Sequence, residues 1–147
     1  MVLSLGKIYA ILGHSLGAFS GVYTLYRVPQ LPVSKLIVMA SPGEVKEFVA
    51  YYQKILGLSR RTMSLVNRYF IEKLGHGPEY FSLKEFASGL KLSGLILHDT
   101  SDKEAPYAYA LAAHKNWKDS EMVTTTGLGH NLKSAELIEK VKQWLNS

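Results

Sequence analysis

Four short apolar runs, separated by longer helical patterns, constrain the fold of this chain more than any other feature. The runs cover residues 8–12, 36–40, 92–98 and 122–125. Three of them are nearly continuous rather than alternating, which is typical of strands buried on both faces of a sheet. Helical patterns follow them at residues 16–26, 44–86, 107–117 and 134–145. This alternation predicts an α/β fold, with a parallel sheet of about four strands and flanking helices.

The second helical pattern is longer than a single crossover between parallel strands requires. Residues 44–89 contain at least two amphipathic helices and a shorter third one. Such an excursion can cover a pocket or simply pack on the sheet, and the pattern alone favours neither. We interpret residues 1–147 as a single domain with a helical, cap-like insertion at about 44–89. The aromatic side chains of this block fall at helical spacings, so we expect them in the core: Tyr51, Tyr52, Tyr69, Phe70, Tyr80, Phe81 and Phe86.

The charge and hydropathy patterns do not favour a nucleic-acid partner or a membrane partner. The formal net charge is +5, but the lysines are scattered along the chain. The densest basic patch, with Arg60, Arg61 and Arg68, falls at mixed helical angles, as on a solvated helix surface. No apolar run approaches the length that spans a bilayer. We therefore expect neither a nucleic-acid nor a membrane partner.

The chain has no cysteine, which excludes a disulfide, a thiolate metal site and a cysteine nucleophile. The apolar start is short, and its one basic residue, Lys7, follows the first apolar residues, so we interpret it as mature sequence. Together these features indicate a cytoplasmic protein. No histidine or carboxylate pair has a metal-ligand spacing, and no dinucleotide motif occurs, so we expect no metal and no cofactor.

The segment "GHSLG" raises the question of what Ser15 does. A strand-like run enters it and an amphipathic run leaves it, as a nucleophile on a strained strand-to-helix turn requires. Alternatively, Gly13 and Gly17 only allow a strand and a helix to join tightly. In the first case the helix start directs the Leu16 N–H at a developing oxyanion, and His14 helps to shape the pocket together with the two glycines.

A serine nucleophile needs a base, and the base needs an acid to orient it. Asp102 follows the third apolar run, and His130 lies in a glycine-flanked loop after the fourth. The chain order is therefore Ser, Asp, His. Because the carboxyl ends of parallel strands share one edge of a sheet, we expect the three side chains to meet there.

At these residues the chain resembles the α/β-hydrolase family. "GHSLGA" is similar to its nucleophile elbow, "HDTSDKEAP" to its acid-bearing "HGxxDxxxP" segment, and "GLGHN" to its histidine loop. The resemblance extends over nearly the whole chain but matches only the C-terminal half of the usual fold. It implies a serine hydrolase for a small-molecule ester or related carboxylic substrate, with Ser15 as nucleophile, Asp102 as acid and His130 as base.

The acid segment departs from the family pattern. Asp99 stands where the family usually has glycine, so the acid is open between Asp102 and Asp99. We favour Asp102 because it precedes "KEAP", and we keep Asp99 as the alternative acid.

The resemblance also implies that parts of the usual fold are missing. The family takes a second oxyanion N–H from a loop after an earlier strand, and we expect this donor to be missing from a chain that begins at Met1. The strand that normally flanks the serine-bearing strand is missing too, which leaves an apolar edge. We expect another copy, a separate chain or the N-terminal segment to cover it. The rival interpretation is a hydrolase remnant that serves as an interaction module or as one half of an assembled enzyme.

Overall fold

The structure, a computed structural model, describes residues 8–147. Their strands form one parallel sheet in the order β1-β2-β3-β4. The strands are β1 (Ala10–His14), β2 (Lys35–Met39), β3 (Ser93–Asp99) and β4 (Ser120–Thr125). Each occupies a predicted apolar run to within about two residues, and helices connect the strands, so the predicted fold class is confirmed.

Six α-helices occur in the described part of the chain. They are α1 (Leu16–Arg27), α2 (Val45–Leu56), α3 (Arg60–Leu74), α4 (Leu83–Ser88), α5 (Tyr107–Asn116) and α6 (Ala135–Asn146). A short 3₁₀ helix, Pro78–Tyr80, lies between α3 and α4. α6 begins after Ser134, whose hydroxyl caps the helix by accepting a hydrogen bond from the Leu137 N–H at 3.4 Å. No helix in residues 8–147 is long and apolar enough to cross a membrane.

The described chain divides into two compact units. One contains the sheet and consists of residues 8–43 and 83–147, and the other is the helical unit Glu44–Ser82. The ends of the helical unit pair with each other: the Val45 N–H bonds to the Phe81 carbonyl, and the Ser82 hydroxyl bonds to the Glu44 carboxylate at 2.7 Å. The unit thus ends at Ser82, and α4, which the predicted insertion includes, belongs to the sheet unit.

The sheet is covered on both faces. On one face, Ile37, Leu95 and Leu97 of the central strands form a buried cluster with Leu137 and Trp144 of α6. Neighbouring strand residues point to the opposite face, because side chains alternate along a strand.

On that opposite face α1 and α5 cover the sheet. A side chain added at Gly94 of β3 would collide with Trp117, directly after α5, and one added at Gly21 of α1 would touch Leu36 of β2. The Trp117 indole N–H also bonds to the Leu92 carbonyl at 3.0 Å. Helices on both faces explain why the central strands are continuous apolar runs.

One expectation about burial is wrong. Tyr51 and Tyr69, predicted to be core, are 59% and 60% exposed, and Tyr52 is also exposed, whereas Phe81 and Phe86 are buried. β1, for which the sequence predicts an apolar edge, lies at the edge of the described sheet, and its Leu12 is 54% exposed. Helical spacing identifies the apolar face of a helix but does not say what covers that face.

Candidate active site

Ser15 lies on a strained turn at the carboxyl end of β1. Its φ of 52° and ψ of −124° belong to a region that side chains other than glycine rarely adopt. The Ser15 N–H bonds to the Met39 carbonyl at 2.8 Å, which ties the turn to the end of β2. A side chain at Gly13 would come within 2.5 Å of the Ala18 backbone, whereas one at Gly17 would meet nothing within 4 Å. The tight turn therefore requires glycine at position 13.

The start of α1 directs positive polarity toward Ser15. Helix bonds begin with the Ser15 carbonyl, which accepts from the Ala18 N–H at 3.0 Å and the Phe19 N–H at 3.2 Å. Leu16 is the first residue of the helix, so its N–H has no intrahelical acceptor. An anion formed at the serine would meet the positive end of the helix dipole.

His130 lies between Ser15 and Asp102 and bonds to both. Its Nε2 is 3.0 Å from the Ser15 Oγ, and its Nδ1 is 2.9 Å from Oδ2 of Asp102. The carboxylate only accepts hydrogen bonds, so Nδ1 carries a proton and Nε2 of the neutral ring can accept from the serine hydroxyl. The three residues that the sequence proposes as nucleophile, base and acid thus form one continuous chain of hydrogen bonds.

Asp102 is held by the turn that follows β3. Its Oδ1 accepts from the backbone N–H of Glu104 at 2.8 Å and of Ala105 at 2.9 Å, which leaves Oδ2 for His130. Burial raises the pKa of the Asp102 carboxyl, but the hydrogen bonds from Ala105 and His130 outweigh burial and lower that pKa below its ordinary value. Asp102 is therefore an anion at neutral pH.

His98 holds the same turn by a hydrogen bond to its backbone. This residue of β3 has no exposed surface, its Nε2 donates to the Ala105 carbonyl at 2.7 Å, and the same nitrogen is 3.4 Å from Oδ2 of Asp102. Its Nδ1 has no hydrogen-bond partner within the described residues. His98 is the first residue of the acid-bearing segment "HDTSDKEAP", but the resemblance assigns it no role. Its position at the end of an apolar run, four residues before the proposed acid, is the signal for it in the sequence.

His14 contacts the base rather than the reacting serine. Its Nε2 donates to the His130 carbonyl at 2.8 Å, and the two imidazole rings meet edge to face with centroids 5.1 Å apart. The residue before Ser15 thus holds the backbone of the histidine loop, and its predicted role in shaping the pocket stays a prediction.

Asp99, the alternative acid, faces the end of β4 instead. Its Oδ1 accepts from the Ser101 N–H at 2.8 Å, from the Ser101 hydroxyl and from the Gly127 N–H at 3.2 Å. Its Oδ2 accepts from the Thr125 hydroxyl at 2.7 Å and from the Leu128 N–H at 2.9 Å. Burial raises the pKa of Asp99, but the hydrogen bonds from Ser101, Thr125 and Leu128 hold that pKa well below its usual value.

A metal site is not evident in the described residues. Among residues 8–147, no three histidine, aspartate or glutamate side chains lie close enough together to hold a metal ion. The predicted absence of a metal and of a cofactor stays a prediction.

The comparison with protein-family models gave no match, and neither did the comparison with curated protein sequences. Solved structures do resemble the chain. Est1E from Butyrivibrio proteoclasticus, solved with ferulic acid, has a TM-score of 0.71 and 21% identity over 95% of this chain and 59% of its own. An α/β-hydrolase enzyme from a sediment metagenome of the Mar Chica lagoon, Morocco, has a TM-score of 0.68 and 16% identity over 99% of this chain and 64% of its own.

A third similar structure is an esterase from Rhodococcus sp. ECU1013, with a TM-score of 0.62 and 15% identity over 94% of this chain and 65% of its own. The chain has part of the α/β-hydrolase fold. It spans roughly three fifths to two thirds of the length of these three α/β-hydrolase structures. In this α/β-hydrolase sheet, Ser15, Asp102 and His130 lie at the carboxyl edge, where open α/β folds build their sites.

Proposed function

We propose that the chain is a serine hydrolase that cleaves an ester or related carboxylic substrate through an acyl-enzyme. The observation that carries this proposal is the pair of hydrogen bonds of 3.0 Å and 2.9 Å that joins Ser15, His130 and Asp102. Such a chain turns a weak hydroxyl nucleophile into an effective one. The likeness in fold to an esterase is compatible with this chemistry.

In the first half of the reaction, the Ser15 Oγ attacks the substrate carbonyl while His130 Nε2 takes the hydroxyl proton. The imidazolium that forms is stabilised by the Asp102 carboxylate on Nδ1. His130 then returns the proton to the leaving alcohol, and the acyl group stays on Ser15. Water, activated by the same Nε2, releases the acid in the second half.

The negative charge on the carbonyl oxygen needs hydrogen-bond donors in place before the reaction. The Leu16 N–H at the start of α1 is the donor we propose, because it has no intrahelical acceptor and lies beside the nucleophile. We propose that a second donor to the same oxygen comes from the chain that covers β1.

A fluorophosphonate probe tests the proposal directly, because it labels only an activated serine. We expect one covalent adduct on Ser15, lost in Ser15→Ala and retained in Ser147→Ala, which removes an exposed hydroxyl at the chain end. Folding of each variant is checked by circular dichroism. Absence of labelling on folded wild-type protein, tested over a range of protein concentrations, would overturn the proposal of an active enzyme.

A second candidate function is an interaction module or one half of an assembled enzyme. The edge strand β1 favours it: Leu12 is 54% exposed, Tyr9 directly before the strand is 55% exposed, and Leu16 at the start of α1 is 62% exposed. An apolar edge of this kind pairs readily with another chain. We therefore propose that a second copy or a separate chain covers β1; the N-terminal segment, the third expected cover, lies outside the described residues.

The two functions differ in their dependence on assembly. If another copy completes the site, the labelling rate per chain rises with protein concentration together with the mass measured by light scattering. A monomer whose β1 amides exchange freely with solvent and whose Ser15 is labelled at full rate would contradict the assembled form. A monomer that binds a partner and is never labelled would favour the interaction module.

We further propose a cytoplasmic location, because the chain has no cysteine and its chemistry needs no oxidising compartment. Expression with a fluorescent tag, followed by fractionation, tests the location.

A further inference from the structure

We propose that Asp99 is a positioning residue that fixes the loop carrying the catalytic base, and that it is not the acid of the reaction. This inference rests on the proposed hydrolase function. It concerns a carboxylate that the family resemblance leaves without a role, because the family usually has glycine at this position. The observation that carries it is the set of five hydrogen bonds that Asp99 accepts.

Three of these five bonds come from β4 and the loop after it. The Thr125 hydroxyl belongs to the last residue of β4, and the N–H groups of Gly127 and Leu128 belong to the following loop. Leu128 is two residues before His130. The Asp99 carboxylate thus joins the end of β3, which leads to Asp102, to the segment that delivers the base.

The loop needs such an anchor because its sequence is intrinsically permissive. Gly127 and Gly129 both have positive φ, of 88° and 60°, and glycine loses more conformational freedom on ordering than any other residue. Without fixed acceptors, a loop with two glycines would sample many positions of His130. The loop is also held by the hydrogen bond from His14 to the His130 carbonyl and by the packing of Leu128 on the buried cluster of the sheet. Asp99 is thus the acceptor for the loop N–H groups among several contacts that position the base.

A carboxylate suits this task better than any neutral side chain. Each of its oxygens accepts several hydrogen bonds and donates none, and all five partners are donors. An asparagine of the same shape would turn its NH₂ group either toward the Leu128 N–H or toward the N–H groups of Ser101 and Gly127, and the N–H groups that it faces would lose this acceptor. The pKa of Asp99, held well below its usual value, agrees with a residue that stays ionised to accept these bonds.

The geometry separates the two carboxylates of the segment. Asp102 Oδ2 is 2.9 Å from His130 Nδ1. The five donors to Asp99 belong to Ser101, Thr125, Gly127 and Leu128, and none of them is a nitrogen of the His130 ring. Asp102 therefore orients the imidazole directly, whereas Asp99 acts on it through the backbone.

Asp99→Asn tests the proposal, with ¹⁵N NMR of the histidine rings as a readout that does not depend on turnover. We expect the His130 Nδ1–H resonance to broaden or vanish while the amide spectrum stays that of a folded protein. In ester hydrolysis we expect kcat to fall about tenfold to a hundredfold, with KM changed less than about twofold, because a small displacement of the base acts on the chemical step. Asp119→Asn, the same change at an exposed site, should alter neither readout.

Other outcomes of these experiments would overturn or support the positioning role of Asp99. A folded Asp99→Asn protein with unchanged His130 resonance and unchanged kcat overturns the proposal. So does loss of turnover in Asp99→Asn together with retained turnover in Asp102→Asn, since Asp99 would then be the acid. If Asp99→Asn does not fold, Thr125→Val, which removes a single donor, decides: a smaller change of the same kind supports the role, and no change overturns it.

The proposed function can fail separately. If wild-type protein shows neither labelling nor turnover, but its His130 resonance is present and is lost in Asp99→Asn, the hydrolase proposal fails and the anchoring role of Asp99 stands.

Discussion

At the scale of single residues, the site combines two carboxylates that are three positions apart and do different work. Asp102 touches the imidazole, and Asp99 holds the loop that carries it. Both have pKa values below the ordinary one, but for different reasons: Asp102 through backbone N–H groups and His130, and Asp99 through hydroxyls and loop N–H groups. The two aspartates are therefore chemically alike but face different partners: Asp102 faces the His130 ring, and Asp99 faces the loop after β4.

Asp102→Asn tests the orienting role of Asp102. The amide can present its NH₂ to Nδ1 and stabilise the ring tautomer that cannot accept the Ser15 proton, so we expect the labelling and turnover rates to fall roughly 10³- to 10⁴-fold. Asp119→Asn serves again as the matched control. Retention of more than a tenth of the rate in folded Asp102→Asn would contradict the assignment.

The sequence could name Ser15, Asp102 and His130 as candidates because each stands in a recognisable segment at the end of an apolar run. It could not choose the acid with certainty, because the choice depends on the direction of side chains in a turn. Nor could it find the contacts of His98 or of the five donors to Asp99. Three of the bonds to Asp99 join β3 to Thr125, Gly127 and Leu128, which are 26 to 29 residues away, and a motif does not say which acceptor a backbone N–H or a hydroxyl at that distance will meet.

At the scale of elements, the turn between β1 and α1 is the part of the fold most tightly fixed by sterics. The backbone at Gly13 passes so close to Ala18 that no side chain fits between them. The strand therefore passes directly into the helix, and Ser15 stays at the tip of the turn.

Gly13→Ala and Gly17→Ala form a matched pair that tests this turn. A methyl group at position 13 would collide with backbone, so we expect the free energy of unfolding to fall by about 1–3 kcal/mol. At position 17 the methyl meets open space in a helix, so we expect no loss and up to about 1 kcal/mol of gain. Urea denaturation measures both, and equal effects at the two positions would contradict the steric account.

Element boundaries followed from the sequence to within about two residues, because apolar runs and helical periodicity reflect burial on both faces of the sheet. An apolar pattern alone does not predict whether another element covers it. β1 has the same apolar composition as the central strands but lies at the edge of the described sheet. The helical unit has apolar side chains on outward faces, for example Phe48, Tyr51 and Ile55 of α2. Composition does not record which neighbour is present.

At the scale of the whole molecule, the two depressed carboxyl pKa values link stability to pH. In the unfolded chain, both aspartates have the ordinary pKa of about 3.9. As the pH falls below about 5, the unfolded chain therefore binds more protons than the folded state. The stabilisation from Asp99 and Asp102 is therefore fully present at neutral pH and is lost as pH falls through about 4 toward their folded pKa values.

Urea unfolding at several pH values between about 6 and 3 should show this loss. We expect the free energy of unfolding to be nearly flat above about pH 5 and to decrease below it, with a shallower decrease in Asp99→Asn. An identical acid dependence in wild-type protein and in Asp99→Asn would show that Asp99 does not contribute.

The exposed edge of β1 gives a prediction about assembly. Leu12→Lys places a charge on the proposed pairing surface, where a lysine discourages association of strands. We expect wild-type protein to have a solution mass above that of one chain, or to bind a separate chain, and the variant to lose this association while keeping its circular dichroism spectrum. Unchanged association in Leu12→Lys would place the contact elsewhere.

Because Ser15 has a positive φ, the residue that gives the highest folding stability at this position differs from the residue that the proposed reaction requires. At this backbone position glycine relieves the strain, so a mutational scan that scores folding alone should rank glycine above serine. A scan that scores fluorophosphonate labelling should accept serine and reject glycine. The separation between the two rankings at position 15 would measure how much folding stability the chain forgoes in keeping a hydroxyl there.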